Sequence, residues 1–474
     1  MHAVKFTLLS GLVFLSPNLV PLASAQQGQA TAGYQLLTTI KLPQSLLGND
    51  ISWVDSANAR YYLADRGNAT STPVAGPRVD VIDTQNNVLI TSILLPNQTL
   101  SGTTFLGAGN GILAIPRSHE IWVGCNDSTV VVIDTITNSV THTISTGGAI
   151  AAGGTNRADE MAYDPGDGLL VVANDRDPVA PFVTFISTST YQVLKRVAFD
   201  GVSAPKTTGG IEQPVWDGLA GKFYIAIPAT AANANGEYDE LDPLTLSYTR
   251  GIPSSCKGPS GLVLIPGQRL MSACGDVVDL ASGKIVTTVA GVSGDEIWYN
   301  GGDQRVYFGG GVGVFVVDAN TYAVLATLPV GVAAVTGPPA VPAQSTHSLA
   351  ADEVNNEVFV AVAFNSNSAA GPNVGIQIWR NGASLSVVPN PIPVNGSADG
   401  TAIVRWNAPN AQEIEVHVGS PTGTLFTQNS NKGSAPTGTW VTDGMTFYLQ
   451  DVTGGKPLTP ANTLATAVAH LQKM

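Results

Sequence analysis

One short pattern recurs seven times along the chain. ISWVDSANARYYLAD, GILAIPRSHEIWVG, MAYDPGDGLLVVAN, PVWDGLAGKFYIAI, LVLIPGQRLMSA, IWYNGGDQRVYFGG and LAADEVNNEVFVAV each set two apolar strands across a polar turn. Most run on into a third strand ending near an acid (VDVIDT, VVVIDT, VFVVDA), then a turn and a fourth strand (VLITSILLP, VTHTIST, QVLKRVAF, AVLATLPV). Such a unit is a four-stranded antiparallel meander. Repeated at intervals of about 35 to 60 residues, it predicts radial stacking into a seven-bladed β-propeller, here over residues 34–387.

The seventh repeat ends with GIQIW and has no obvious fourth strand of its own. YQLLTTIKLP, starting at Tyr34, resembles the fourth strands elsewhere, so the N-terminus is expected to close the ring and remove the open sheet edge. From residue 388 the pattern changes. A Pro/Gly linker, VVPNPIPVNGSADG, leads into TAIVRWNAPNAQEIEVHVG, which alternates strictly, and TGTWVTDGMTFYLQD follows. Residues 388–474 are therefore expected to form a small immunoglobulin- or fibronectin-like β-sandwich. The fold class is all-β throughout.

Residues 1–25 have the form of a secretory signal peptide. Lys5 supplies the charge, FTLLSGLVFL the apolar run, and Ala23 to Ala25 (ASA) the small-residue cleavage site; 26–33 is a short linker. The apolar run is too short to span a bilayer, and no later run approaches the roughly 20 residues that a span needs. A secreted or periplasmic protein with no membrane span is expected. In an oxidising compartment Cys256 and Cys274 are expected to pair, leaving Cys125 over. Only 12% of residues are charged, and the net charge of −13 argues against nucleic acid as a partner.

In a propeller the first strand of each blade lines the central channel, so the residue at its entrance faces one rim. Aligned by the following turn, the entrance column is Asp50, Asn110, Asp159, Glu212, Ser260, Asp295 and His347. The next column is Ile51, Gly111, Glu160, Gln213, Gly261, Glu296 and Ser348. The turns after the second strands open on the same rim and bring Arg66, Asn126, Asp127, Asp175, Arg176 and Asp177. Carboxylates facing one another across a narrow channel repel, and either hold a proton or take a cation. Asp50, Asp159, Glu212 and Asp295 suit a divalent ion, Ca or Mg first, with His347 also admitting Zn or Fe. Glu160 and Glu296 are the general-base candidates and His347 a ligand or proton carrier. Arg66, Arg157 and Arg176 are placed to hold a substrate carboxylate. The simpler reading has the same residues capping turns and pairing with one another.

The VVVIDT and VFVVDA strands resemble YVTN-type propellers over residues 34–387. GPSGL (Gly258 to Leu262) is similar to the Pro-Asn-Gly metal motif of the gluconolactonase family, with Ser260 in place of Asn; GND (Gly48 to Asp50) stands near the place of that family's Glu-Gly-Pro. That family is six-bladed, against seven here. The resemblance implies a channel-mouth metal and a lactonase- or esterase-type hydrolase acting on a small or sugar-derived molecule. The alternative is a non-catalytic secreted scaffold for glycans or proteins. A haem-type electron carrier is short of ligands, since only His119, His142 and His347 fall in the propeller. FGGGVGVF has no helix after it to make a dinucleotide site, and GPSGL is no nucleophile elbow. Sequons occur at Asn68, Asn97, Asn126 and Asn395.

Overall fold

A computed structural model describes residues 34–148, 156–333, 343–364, 373–408, 411–459 and 462–473. Residues 1–25 and 26–33, expected from sequence to be a signal peptide and a linker, lie outside the described residues. Those described are all-β, with one short 3-10 turn at Pro116–Ser118.

Six consecutive four-stranded antiparallel meanders have first strands Asn49–Asp55, Gly109–Ile115, Met161–Asp164, Pro214–Asp217, Leu262–Ile265 and Glu296–Asn300. A further sheet is built from Gln344–Asp352, Glu357–Phe364, Gly375–Asn381 and the N-terminal Tyr34–Ile40, which pairs antiparallel with Gly375–Asn381. In each of these sheets the register slips once between third and fourth strand, as between Val81 and Ile82 or Val132 and Ile133. The same slip falls between Leu36 and Thr38, so Tyr34–Ile40 occupies a fourth-strand position in every geometric respect.

The acid that ends many strands has a local cause. Asp83 Oδ1 accepts N–H bonds from Gln85 (2.8 Å) and Asn86 (3.0 Å), and Asp134 Oδ1 from Ile136 (2.9 Å) and Thr137 (2.7 Å). Asp242 and Asp318 repeat the arrangement. The carboxylate satisfies the turn's exposed donors and sets the reversal. The chain then passes through a positive φ, at Asn87 and Asn138 for instance.

Consecutive sheets pack face to face over apolar clusters. Tyr62, Val81, Ile112 and Val123 join the first two sheets, and Leu113, Trp122, Met161 and Leu170 the next two. Val54, Tyr61, Ala350 and Phe359 pack the sheet holding the N-terminal strand against the first, so the series returns on itself. First strands also touch directly around the centre. Ser52 N–H donates to Ser348 Oγ (2.8 Å), Leu262 N–H to Gln213 Oε1 (2.8 Å) and Gly261 N–H to the Asp295 carbonyl (2.8 Å). Glycine is required at this approach: a Cβ on Gly111 would lie 1.9 Å from the Asp159 carbonyl oxygen, and one on Gly261 2.5 Å from that of Asp295. These repeated four-stranded sheets are those of a β-propeller.

The C-terminal region has a three-stranded and a four-stranded sheet over one shared cluster that includes Leu385, Val404, Trp406, Ile414, Phe447 and Leu449. Its first strand, Ser384–Val388, precedes the changeover expected at 388. Ser384, Leu385, Ser386 and Val387 are already buried in the second core, which moves the boundary back to the turn after Asn381. No helix among the described residues is long and apolar enough to cross a membrane.

Candidate functional site

The entrance residues are anchored through their backbones. Asp159 N–H donates to the Ala173 carbonyl (2.7 Å), Glu212 N–H to Ala226 (2.9 Å) and Asp295 N–H to Gly309 (2.8 Å), each on the second strand of its own sheet. The side chains of the column are thus held at one end of the first strands.

Asp50, 3% exposed, is the most heavily contacted acid of this group. The Arg66 guanidinium pairs with it, Arg157 Nη1 lies 3.2 Å away and His347 Nε2 2.7 Å away. His347 Nε2 also lies 2.8 Å from Asp295 Oδ2. Arg157 turns its other edge to Asp175 Oδ2 (Nε 3.0 Å, Nη2 2.8 Å) and has Nε 2.8 Å from Asp159 Oδ2. That last N–H is directed at Asp175, and neither Asp159 oxygen accepts a hydrogen bond from the described residues. Arg176 Nε contacts Asp175 Oδ2 at 3.0 Å. Arg66 also donates to Asn110 Oδ1 (Nη2, 2.8 Å), and Asn110 Nδ2 to Asn126 Oδ1 (3.0 Å).

Burial opposes the Asp50 charge, yet Arg66, the bond to His347 and Arg157 together hold its carboxyl far below the usual range. Burial likewise works against a charged His347, but hydrogen bonds to Asp295 and Asp50 push its pKa up to about 11. Behind them Glu160 and Glu296 are buried, and Glu160 Oε2 has no hydrogen-bond partner among the described residues. Desolvation, then Asp159 and Glu212, raise Glu160 well above the carboxylate range; desolvation, then Asp295 and Asp50, do the same for Glu296. Asp159 is raised chiefly by burial, against the pull of Arg157. Burial and Asp295 lift Glu212 to about 8. All four acids are therefore shifted toward their protonated forms. Arg66, Arg157, Arg176 and His347 thus stand in direct contact with Asp50, Asp159, Asp175 and Asp295.

Arg66, Arg157 and Arg176 line a single cavity of about 340 Å³ with Thr103, Thr104 and Asn126. The Arg176 side chain is 72% exposed, and its two Nη groups meet no acceptor among the described residues. Asp50, Asp295 and His347 bring one ligand atom each to within 4.8 Å of one another, a mixed oxygen and nitrogen set that fits a small divalent cation. Asp159 and Glu212 are not in that trio.

Sequence reasoning placed Asp175 on this rim without its part as the acceptor shared by Arg157 and Arg176. Thr103 and Thr104 arrive on an insertion between the first two sheets that the repeat does not foreshadow. Cys256 and Cys274 form the expected disulfide. Asp276 beside it is satisfied by Ser254, Ser255 and Thr288, which gives it a structural part. Asn126 is 6% exposed and hydrogen-bonded at both amide atoms, so its sequon is closed to a glycan in the folded protein.

Sheet order, recurring slip and central first strands define the class: an all-β, propeller-type protein. No family model matches the chain, and no curated protein matches it. Among solved structures it is similar to the crystal structure of a mitotic checkpoint complex, at 10% identity and a TM-score of 0.49, over 80% of this chain and 98% of that one.

Proposed function

We propose that this is an exported seven-bladed propeller with an immunoglobulin-like module, whose channel mouth binds a small anionic ligand such as a sugar acid. The observation that carries the reading is the convergence of Arg66, Arg157 and Arg176 on one cavity. Arg157 and Arg66 are partly spent on Asp50, Asp159 and Asp175; Arg176 keeps a free fork for a carboxylate. The upward shifts of the buried acids lessen the repulsion that would turn an anion away. Calorimetric titration with galacturonate and with neutral galactose tests this. Saturable binding of the acid alone, weakened about tenfold or more in Arg176→Ala, is expected from loss of a bidentate pair. Equal behaviour of acid and neutral sugar, or an Arg176→Ala protein that binds as before, contradicts it.

A second reading has its own observation, the Asp50, Asp295 and His347 trio. A divalent cation bound there would supply a Lewis acid for a lactone or ester carbonyl. His347 must release its proton to ligate, so metal uptake would liberate acid and strengthen with pH. The upward shifts of Glu160 and Glu296 favour their acid forms, which suit a proton donor better than the general base that their sequence positions suggest. Glu212 becomes an acceptor only above about pH 8. Metal content of the purified protein and lactone turnover in wild type and Asp295→Asn decide: stoichiometric metal with turnover lost in the variant supports hydrolysis, and metal-free inactive protein removes it.

A further inference from the structure

We propose a second binding site at the opposite end of the channel, for a neutral, ring-bearing small molecule with oxygen acceptors. It is independent of the arginine mouth. The distal halves of the first strands open there on a cavity of about 440 Å³. Its walls include Trp53, Trp216, Trp298, Tyr163, Tyr299 and Met161, and no charged side chain lines it. The absence of charge along this lining selects against ions, which would lose hydration without a partner.

The tryptophans say what the site offers. Each of the three enclosed tryptophans elsewhere spends its indole N–H on the protein. Trp122 donates to Glu120 Oε2 (3.1 Å), Trp379 to Gln377 Oε1 (2.9 Å) and Trp406 to the Ser430 carbonyl (2.9 Å). Trp53, Trp216 and Trp298 are half-buried in the cavity wall, and none of their N–H groups has an acceptor among the described residues. Their rings are braced: Trp53 and Trp298 meet edge to face at 5.0 Å, and Trp216 packs on Phe223 at 4.6 Å. Fixed indoles with open donors form a platform for a flat or alicyclic ring whose oxygens accept those hydrogens. Tyr299 Oη is enclosed and has no hydrogen-bond partner among the described residues, and Tyr299 also lines an adjoining cavity of about 540 Å³ bounded by His470 and Leu471 of the C-terminal region. A ligand here would therefore lie beside that region, on the face away from the arginines.

Coumarin, a neutral bicyclic ring with a carbonyl acceptor, is the probe, and coumarin-3-carboxylate its anionic counterpart. Equilibrium dialysis on the full chain should give saturable one-site coumarin binding, at least tenfold tighter than the anion. Trp216→Ala should weaken it tenfold or more, and Trp298→Phe, which keeps a ring and loses the N–H, about threefold. Val263→Arg, at a half-exposed lining position, puts a charge on the wall without opening the core and should abolish binding even if Trp216→Ala fails to fold. Trp440→Ala, in the C-terminal region, should leave coumarin binding unchanged. Absence of saturable binding, equal affinity for the two probes, or full binding by folded Val263→Arg overturns the proposal.

Discussion

Asp50 stands between two guanidinium groups and an imidazole, and the pH behaviour of the protein follows from how such residues share protons. Glu160 and Glu296 keep protons in the native state that the unfolded chain releases above about pH 4.5, so each withdraws stability as pH rises. Glu212 acts the same way up to about 8. His347 adds stability that is complete below its unfolded pKa of about 6.5 and fades as pH climbs toward about 11. Asp50 has the opposite sign: its contribution is present above about pH 3.8 and is lost only as pH falls below that. The melting temperature is expected to peak near about pH 5 and decline toward about pH 9. Glu160→Gln should raise it by about 2 °C or more at pH 8 and hardly move it at pH 5; a melting temperature that climbs between those pH values contradicts this. The entrance column was legible in the sequence because the turn spacing fixes register. The protonation of its acids was not, because that depends on burial by neighbouring sheets and on Arg157 spending itself on Asp175.

The strand that brings the N-terminus to the last sheet is tied in by its first residue. Tyr34 Oη lies 2.9 Å from Tyr307 Oη and accepts from Arg305 Nη1 at 2.6 Å, and the two tyrosine rings meet edge to face at 6.3 Å. Tyr34→Phe leaves the apolar packing and strips the half-buried Arg305 guanidinium of its acceptor. A loss of about 1–3 kcal/mol in urea unfolding is expected, and a loss within error would mean that the hydroxyl network does not hold the strand. The disulfide closes an 18-residue separation, so Cys256→Ser with Cys274→Ser should cost about 3 kcal/mol; an unchanged denaturation midpoint would contradict that. At this scale the repeated strands and the terminal aspartates were readable, since each is a local pattern of alternation and turn chemistry. The register slip was not, because no residue type marks it: Val81 and Ile82 sit at it in one sheet, Leu36 and Thr38 in another.

Across the whole molecule, charge and apolarity are sorted to opposite ends of one channel. Sequence shows only an acidic chain of net charge −13. Stacking the sheets places arginines from separate sheets at one mouth and tryptophans from separate sheets at the other. The C-terminal region sits on the tryptophan side, held by the Gln304 amide to the Val468 carbonyl and by His470 Nε2 against Asn320 Oδ1 (2.9 Å). No linear pattern announced that contact, which joins residues more than a hundred positions apart. The coupled mouth is the feature on which the functional reading rests, and His347 reports on it from inside. An NMR titration of its imidazole in EDTA should show the ring charged through about pH 9 in the wild type, with its pKa falling by two units or more in Asp50→Asn. A ring that titrates near 6.5 in both proteins would mean that Asp50, Asp295 and His347 do not meet.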